Sequence, residues 1–246
     1  MKGDAVTAID VKGLNFSYPG GQPVLHELKL SIAAEESVGL IGPNGAGKTT
    51  LFLCLAGILR IAPGLVSVCG LDPADAGERR RLPAHLGVVF QNSDDQLIQA
   101  TVRDDVAFGP LNLNLPRDEV QARVAEALKR VGLCGFEERV PFHLSGGEKR
   151  RAALAGVLAM RPDVLLLDEP TMFLDPRGRR ELAGFLHDVP GTKIIATHDL
   201  EFVLQMCQRV LLLDSARLIA DGPAREVMAN AEWMESHGLE VPHSLR

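Results

Sequence analysis

No stretch of the chain is apolar for long. The longest such runs in its 246 residues, Leu51–Leu59 and Ala152–Met160, fall far short of the roughly 20 residues that cross a bilayer, so no membrane-spanning helix is expected. Aromatic residues make up 4%, with one tyrosine, Tyr18, and one tryptophan, Trp233. There is no excess of positive charge; the formal net charge of −6 argues against a protein that grips the nucleic-acid backbone. Cysteine is sparse and scattered, at positions 54, 69, 134 and 207, without a Cys-x-x-Cys pair. That excludes a typical zinc site or disulfide framework and leaves small core fillers as the expectation. Met1–Asp10 carries two acidic residues and no apolar centre, so a secretory signal is not expected and the chain should stay in the cytosol. Repeats, heptads and low-complexity linkers are lacking too.

What is present is a globular composition, 46% hydrophobic and 24% charged. Short runs rich in Val, Ile and Leu recur at Ser37–Ile41, Leu86–Phe90, Val164–Leu167, Lys193–Ala196 and Arg209–Leu213, the pattern of buried parallel strands in an α/β sheet. Near the start, Thr7–Val11 and Gly13–Tyr18 alternate, followed by the turn Pro19-Gly20-Gly21, and predict an antiparallel strand pair. Between Gln91 and Asp163 strand patterning stops. Val120, Val124, Leu128 and Val131 share a helical face between Pro116 and Gly132, and a second helix is predicted from about Gly146 to Met160. The expected organisation is an N-terminal β subdomain with the first part of an α/β core over 1–90, a mostly helical insertion over 91–163, and the second part of the core with the tail over 164–246.

Gly42-Pro43-Asn44-Gly45-Ala46-Gly47-Lys48-Thr49 follows the strand Ser37–Ile41 and precedes a helix predicted to carry Leu51, Leu55 and Ile58 on one face, the context a phosphate-binding loop requires. Its glycines let backbone N–H groups converge on phosphate oxygens at a helix N-terminus, Lys48 can reach the β- and γ-phosphates, and the Thr49 hydroxyl suits magnesium. The strand Val164–Leu167 ends in Asp168-Glu169, two carboxylates that are costly to bury without a cation or donor. Asp168 is the candidate for a magnesium shell and Glu169 for polarising the attacking water; alternation along a persisting strand would send them to opposite sides. A third strand ends at Thr197-His198, and in open α/β sheets ligands lie beyond such strand ends.

Leu144-Ser145-Gly146-Gly147-Glu148, before Lys149-Arg150-Arg151, closely resembles the signature of ATP-binding cassette (ABC) ATPases. With the phosphate loop and Asp168-Glu169, the resemblance covers essentially the whole chain. It implies a P-loop NTPase with a mostly parallel core sheet, an antiparallel β subdomain and an inserted helical subdomain. It implies ATP and Mg2+ as cofactors, and a homodimer, or a heterodimer with a related ATPase, that sandwiches ATP head to tail. On that pattern Tyr18 stacks on adenine, the loop from Gly42 through Thr50 holds the phosphates, and Gln91 senses magnesium and the attacking water. Asp175 bridges the dimer, His198 contacts the γ-phosphate, and Ser145, Gly146, Gly147 and Glu148 serve the partner's nucleotide. From the residues alone, Tyr18 reads as a half-buried strand residue and Gln91 as a loop amide.

A narrower resemblance lies in Phe90–Leu97, in Thr101-Val102 with Asp105–Pro110, and in the tail His237–Pro242, which are similar to the ATPases of energy-coupling-factor importers, especially the cobalt and nickel group. It implies an ATPase powering uptake, with a membrane coupling subunit and a substrate-binding membrane subunit as partners on the cytoplasmic face of the cell membrane, and no nucleic-acid partner. The ATPase of another ABC importer or exporter is the alternative. A soluble ABC ATPase acting on DNA or ribosomes is disfavoured by the acidic charge and the lack of heptads between Lys48 and Asp168. Leu97, Ile98, Val102 and Phe108 are candidates for the groove that receives the coupling helices, or for core. The chain departs from the usual pattern at Met172-Phe173, where small residues are common, at Ser93 in place of proline, and at Glu148 in place of glutamine. A carboxylate at 148 is costly beside a nucleotide unless Lys149 or Arg150 offsets it. His237 and His243 are expected to be solvated tail residues rather than metal ligands.

Overall fold

The computed structural model describes residues 6–246; the first five residues, half of the segment read above for a secretory signal, lie outside the described residues. Two compact units emerge, one formed by the chain up to Leu82 together with Gly191–Arg246, the other by Pro83–Pro190.

In chain order the first unit begins with β1 (Thr7–Ser17), β2 (Pro23–Ala33), β3 (Ser37–Ile41), α1 (Lys48–Leu55), β4 (Val66–Val68) and α2 (Ala76–Arg79). The second unit follows with β5 (Leu86–Val89), α3 (Val102–Asn112), α4 (Arg117–Arg130), α5 (Gly146–Leu158), β6 (Val164–Asp168) and α6 (Pro176–His187). The chain then returns to the first unit with β7 (Thr192–Ala196), α7 (Leu200–Met206), β8 (Arg209–Asp214), β9 (Arg217–Pro223), α8 (Ala224–Ala229) and α9 (Ala231–Ser236).

The first unit holds two sheets. One is antiparallel, in the order β2-β1-β4. The two alternating stretches read as a strand pair are a single strand, β1, which bends through an irregular register at Gly13 and puts Ile9, Val11 and Leu14 in the core. Its partner is β2, in register from Thr7 opposite Ala33 to Ser17 opposite Pro23, so the turn at Pro19-Gly20-Gly21 joins β1 to a strand beyond it. The other sheet contributes the order β7-β3-β8-β9, with β3 parallel to both β7 and β8 and β9 antiparallel at the edge. Strands β3, β7 and β8 are buried almost throughout, as parallel strands covered on both faces must be. Arg209 ties this sheet together: its guanidinium bonds to Asp221 on β9 at 2.5 and 2.7 Å and to Glu36 at 3.1 Å, which holds its pKa above the ordinary value. Helix α1 stops at Leu55 because Gly57 takes a left-handed conformation, so Ile58 falls outside the helix and is 56% exposed rather than on its apolar face.

In the second unit β5 and β6 pair in parallel from Leu86 opposite Val164 to Val89 opposite Leu167. Beside them Val102, Val106, Val120, Val124 and Leu128 form a helical core with Leu154. Helix α4 starts after Pro116 and ends before the left-handed Gly132, as its spacing predicts. Helix α5 ends at Leu158, two residues short of the expected Met160.

The cysteines divide. Cys54 and Cys207 are core fillers, their thiols pushed up to about 12 by burial, whereas Cys69 is half-buried and Cys134 is exposed, against the expectation.

Gly39, at the centre of β3, shows how tightly α7 sits on its sheet: a Cβ there would lie 2.5 Å from Val203 Cγ1 and 3.1 Å from Val210 Cγ1. Gly39→Ala should therefore destabilise the protein by about 1–3 kcal/mol through overpacking. Adding Val203→Ala should recover most of the loss in thermal unfolding; equal melting of the single and double variants would refute the contact.

Candidate functional site

At the carboxyl end of β3 the chain turns through Gly42, Gly45 and Gly47, all at positive φ, before entering α1. Two of these glycines are also forced by space. A Cβ on Gly42 would lie 2.0 Å from the Leu213 carbonyl oxygen, and one on Gly47 would lie 2.7 Å from that of Val24. No side chain caps the N-terminus of α1, so its first-turn amides carry the partial positive charge of the helix end toward the loop. Lys48 is buried and folds back over the loop, donating to the carbonyls of Gly42 at 2.7 Å and Pro43 at 3.0 Å. Asn44, Gly45 and Thr49 are exposed; Ala46 and Thr50 are buried.

Tyr18 lies just past β1, 42% exposed, with its ring set edge-on against Phe16 and its hydroxyl 3.3 Å from Thr50 Oγ1. It lines a groove of about 500 Å³ with Gly21, Gln22, Pro23, Val24, Gly45, Ser215 and Ala216, a cavity of the size that takes a small organic ligand. Ser215 and Ala216 both sit at positive φ in the turn between β8 and β9. Behind that turn His237 Nδ1 lies 2.8 Å from Asp214 Oδ2 and holds the Asp214 carboxyl below the usual range. His237 is thus the partner of an aspartate rather than a solvated tail residue, while His243 is exposed. On the other side of β3, Leu40 pairs with Ala196 of β7, which brings the exposed His198 to the same sheet end as the phosphate loop.

In the second unit β5 leads to Gln91 and β6 to Asp168 and Glu169, at adjacent carboxyl ends of a parallel pair. Both carboxylates are buried, at 2% and 7% exposure. The strand does not persist through Glu169: its φ is +46°, so a left-handed kink, not strand alternation, separates the directions of the two side chains. Arg150, 4% exposed, donates to the carbonyls of Phe90 at 2.5 Å, Gln91 at 2.8 Å and Glu169 at 2.9 Å. Burial lowers its pKa, and the charges of Asp168 and Glu169 act in the opposite sense. In the sequence Arg150 is a candidate offset for Glu148, and its place one turn into α5 is the one hint of a buried role.

Ser145 caps α5 in a reciprocal box. Glu148 Oε2 accepts from both the Ser145 N–H and its hydroxyl at 2.7 Å, and the Glu148 N–H donates back to Ser145 Oγ. Those bonds from Ser145 hold the Glu148 carboxyl below its ordinary value, so its charge is offset by Ser145, with Arg139 and Arg151 adding to it. Lys149 instead pairs with Asp94 at 2.6 Å. Gly146 is exposed and Gly147 half-buried. Asp175 caps α6 through the Gly178 N–H at 2.7 Å and remains exposed. Of the groove candidates, Ile98 and Phe108 are 68% and 50% exposed, Leu97 is half-buried, and Val102 is core. The loop that carries Ile98 is pinned by Asp105, whose Oδ1 accepts the N–H groups of Ile98 and Gln99.

The candidate metal donors are oxygens: in the first unit the Thr49 hydroxyl, and in the second the Asp168 carboxylate and the Gln91 carboxamide. Among the described residues no group of three or more His, Cys, Asp or Glu side chains could hold an ion by itself. Each candidate is a hard oxygen donor of the kind that suits magnesium, which is bound through one or two protein oxygens plus phosphate and water.

Against known proteins, the profile of the ABC transporter family matches residues 25–172. An energy-coupling factor transporter ATP-binding protein, EcfA, of Methanothermobacter thermautotrophicus is 46% identical over 96% of this chain and 77% of its own length. EcfA of Methanocaldococcus jannaschii is 44% identical over 95% of the chain and 85% of its own length. Among solved structures, CbiO1 from Clostridium perfringens, described as part of the ABC transporter complex CbiONQ, superposes with a TM-score of 0.82 at 37% identity and 94% coverage of both chains.

The capping box makes a pH-dependent prediction. Because the folded pKa of Glu148 lies below its ordinary 4.5, the stability it contributes is fully present above that pH and is lost as pH falls through the lowered value. Glu148→Gln should be less stable than the parent at neutral pH by about 0.3–1 kcal/mol, and the difference should shrink as pH falls below 4.5. A gap unchanged between pH 7 and pH 3 would show that the carboxylate charge plays no part.

Proposed function

As a member of the ATP-binding proteins of ABC transporters this chain is an ATP-hydrolysing subunit, and we propose that it powers an energy-coupling-factor importer that takes up cobalt or nickel ions. The observation that carries this reading is likeness along the whole length, rather than in the phosphate loop alone, to proteins named as energy-coupling factor ATPases and to a CbiO structure. The ion itself rests on the resemblance of Phe90–Leu97 and His237–Pro242 to the cobalt and nickel group.

In this reading the amides of Gly42, Asn44, Gly45, Ala46 and Gly47, in a turn that Pro43 stiffens, hold the triphosphate with Lys48, Thr49 and Thr50, and Tyr18 stacks on adenine. Thr49, Asp168 and Gln91 hold magnesium, which when bound neutralises charge on the β- and γ-phosphates. Glu169 orients and polarises the attacking water, and His198 donates toward the γ-phosphate. Ser145, Gly146, Gly147 and Glu148 face the nucleotide of a second ATPase, identical or related, across a seam bridged by Asp175. The division into residues 1–90, 91–163 and 164–246 then follows the work done: nucleotide grip, signature and coupling, and water activation with the tail.

Among the described residues no helix is long and apolar enough to cross a membrane. In the proposed importer separate subunits form the path. A coupling subunit docks near exposed Ile98 and Phe108, and a membrane-embedded subunit recognises the ion. The chain sits peripherally on the cytoplasmic face of the membrane.

Glu169→Gln should retain ATP binding, lose at least about 100-fold in turnover and accumulate a closed dimer on size-exclusion chromatography, since general-base contributions run to about 10²–10⁴-fold. The complex with its membrane partners, in vesicles, should accumulate Co2+ or Ni2+ only with internal or external ATP on this subunit's side. Unchanged turnover in the variant would remove Glu169 from its role, and ATP-independent uptake of both ions would overturn the importer assignment.

A further inference from the structure

Met172 and Phe173 stand where the resemblance leads one to expect small residues, and nothing in the reading above uses them. Phe173 is 83% exposed at a φ of +62°. Met172 is half-buried and turns back toward Gln91: its Sδ accepts a hydrogen bond from Gln91 Nε2 at 3.3 Å, a length that suits the large, weakly accepting sulfur atom.

That bond closes a ring. The Gln91 carbonyl accepts from Arg150 Nη2 at 2.8 Å, the same nitrogen donates to the Glu169 carbonyl at 2.9 Å, and the Met172 N–H donates to that carbonyl at 3.1 Å. From Met172 the ring returns through Sδ to the Gln91 side chain. Without its last member, Gln91 would be an exposed glutamine fixed at its backbone and free at its tip.

A glutamine tip presents two chemically opposite ends. The NH2 group only donates and the Oε1 only accepts, and they lie on opposite sides of a planar carboxamide. A hard cation, or the proton of an attacking water, calls for Oε1. A sulfur acceptor takes the NH2 end and so directs Oε1 away from Met172. Alanine or serine at 172 is too short for this, and leucine fills the volume without accepting.

We propose that Met172 is a positioning residue for ATP hydrolysis: its thioether selects the carboxamide orientation of Gln91 and ties it to the Glu169 backbone. This rests on the role given to Gln91 under the proposed function.

The test compares full-length Met172→Leu, which keeps the volume, with Met172→Gln, which restores an acceptor at similar length, each alone and with Gln91→Ala. Loss of the sulfur should leave the ATP dissociation constant unchanged, lower kcat about 3-fold, the factor that about 0.6 kcal/mol produces, and raise the magnesium concentration for half-maximal turnover. Met172→Gln should restore both, and in the Gln91→Ala background Met172→Leu should change nothing. Independently of turnover, the side-chain NH2 signals of Gln91 in 15N-glutamine-labelled protein, assigned by their loss in Gln91→Ala, should shift in Met172→Leu and not in Phe173→Leu. Unmoved signals would refute the contact. Moved signals with an unchanged kcat, or an equal loss of kcat in the Gln91→Ala background, would refute positioning. A parent protein that hydrolyses no ATP with its membrane partners would sink the functional reading, while the NMR comparison would still decide the contact.

Discussion

One buried guanidinium sets the geometry of the second unit. Arg150 is 4% exposed and directs its donors to three backbone carbonyls, two in the segment leaving β5 and one at the end of β6. Burying an arginine is costly, as its lowered pKa records, and the cost is met by the carbonyl dipoles together with the charges of Asp168 and Glu169. The arrangement is demanding in both directions. Remove the cation and three carbonyls and two buried carboxylates lose their shared partner; replace it with lysine and the fork that reaches both loops at once is gone. Because Arg150 lies one turn into α5, the helix whose N-terminus is capped by Ser145, the signature segment, Gln91 and Glu169 are fixed to one another through a single side chain.

The backbone strain around this arginine is then intelligible. Glu169 and Phe173 lie in the left-handed region, a conformation that costs a non-glycine residue roughly 1–2 kcal/mol. Such strain persists only where surrounding bonds over-determine it. At Glu169 they do: its carbonyl accepts from both Arg150 and the Met172 N–H. The kink does what strand alternation could not, since it ends β6 at Asp168 and gives the next carboxylate its own direction.

What the sequence disclosed follows the same physics. Strands β3, β6, β7 and β8 were legible because strands buried on both faces must be continuously apolar, and the phosphate loop because few sequences satisfy its spacing by chance. Strands β2 and β9 were not, since a half-exposed strand such as β9 carries only a weak alternation. Lys149-Arg150-Arg151 reads as a charge run, yet its members diverge: Lys149 reaches Asp94, Arg150 is buried, and Arg151 meets Glu181. Helical geometry sends adjacent residues about 100° apart, so a run in sequence is not a patch in space. The pairing of His237 with Asp214 was invisible because it spans two elements that only the folded chain brings together. Glu148 finds other partners than the neighbouring Lys149 and Arg150. The Ser-x-x-Glu spacing of a capping box is present in the sequence, and its donors, three residues away, hold the carboxylate whether or not Lys149 or Arg150 does.

On the proposed reading each anion-binding end already holds one side-chain donor in a bond from within, while the first-turn amides of α1 have no side-chain cap. Lys48 donates to the Gly42 and Pro43 carbonyls, and the Ser145 hydroxyl donates to Glu148. At Lys48 and Ser145 an arriving phosphate would exchange hydrogen bonds rather than create them, so the net gain there is smaller than the gross strength of the new contacts. This also reconciles an acidic protein with an anionic ligand. The net charge of −6 is spread over the molecule and screened beyond about 8–10 Å at physiological salt, whereas on the proposed reading Lys48, the loop amides and the Ser145 turn would act at contact distance. Affinity set by exchange at short range keeps the nucleotide exchangeable, which a subunit that must release its product at every turnover requires.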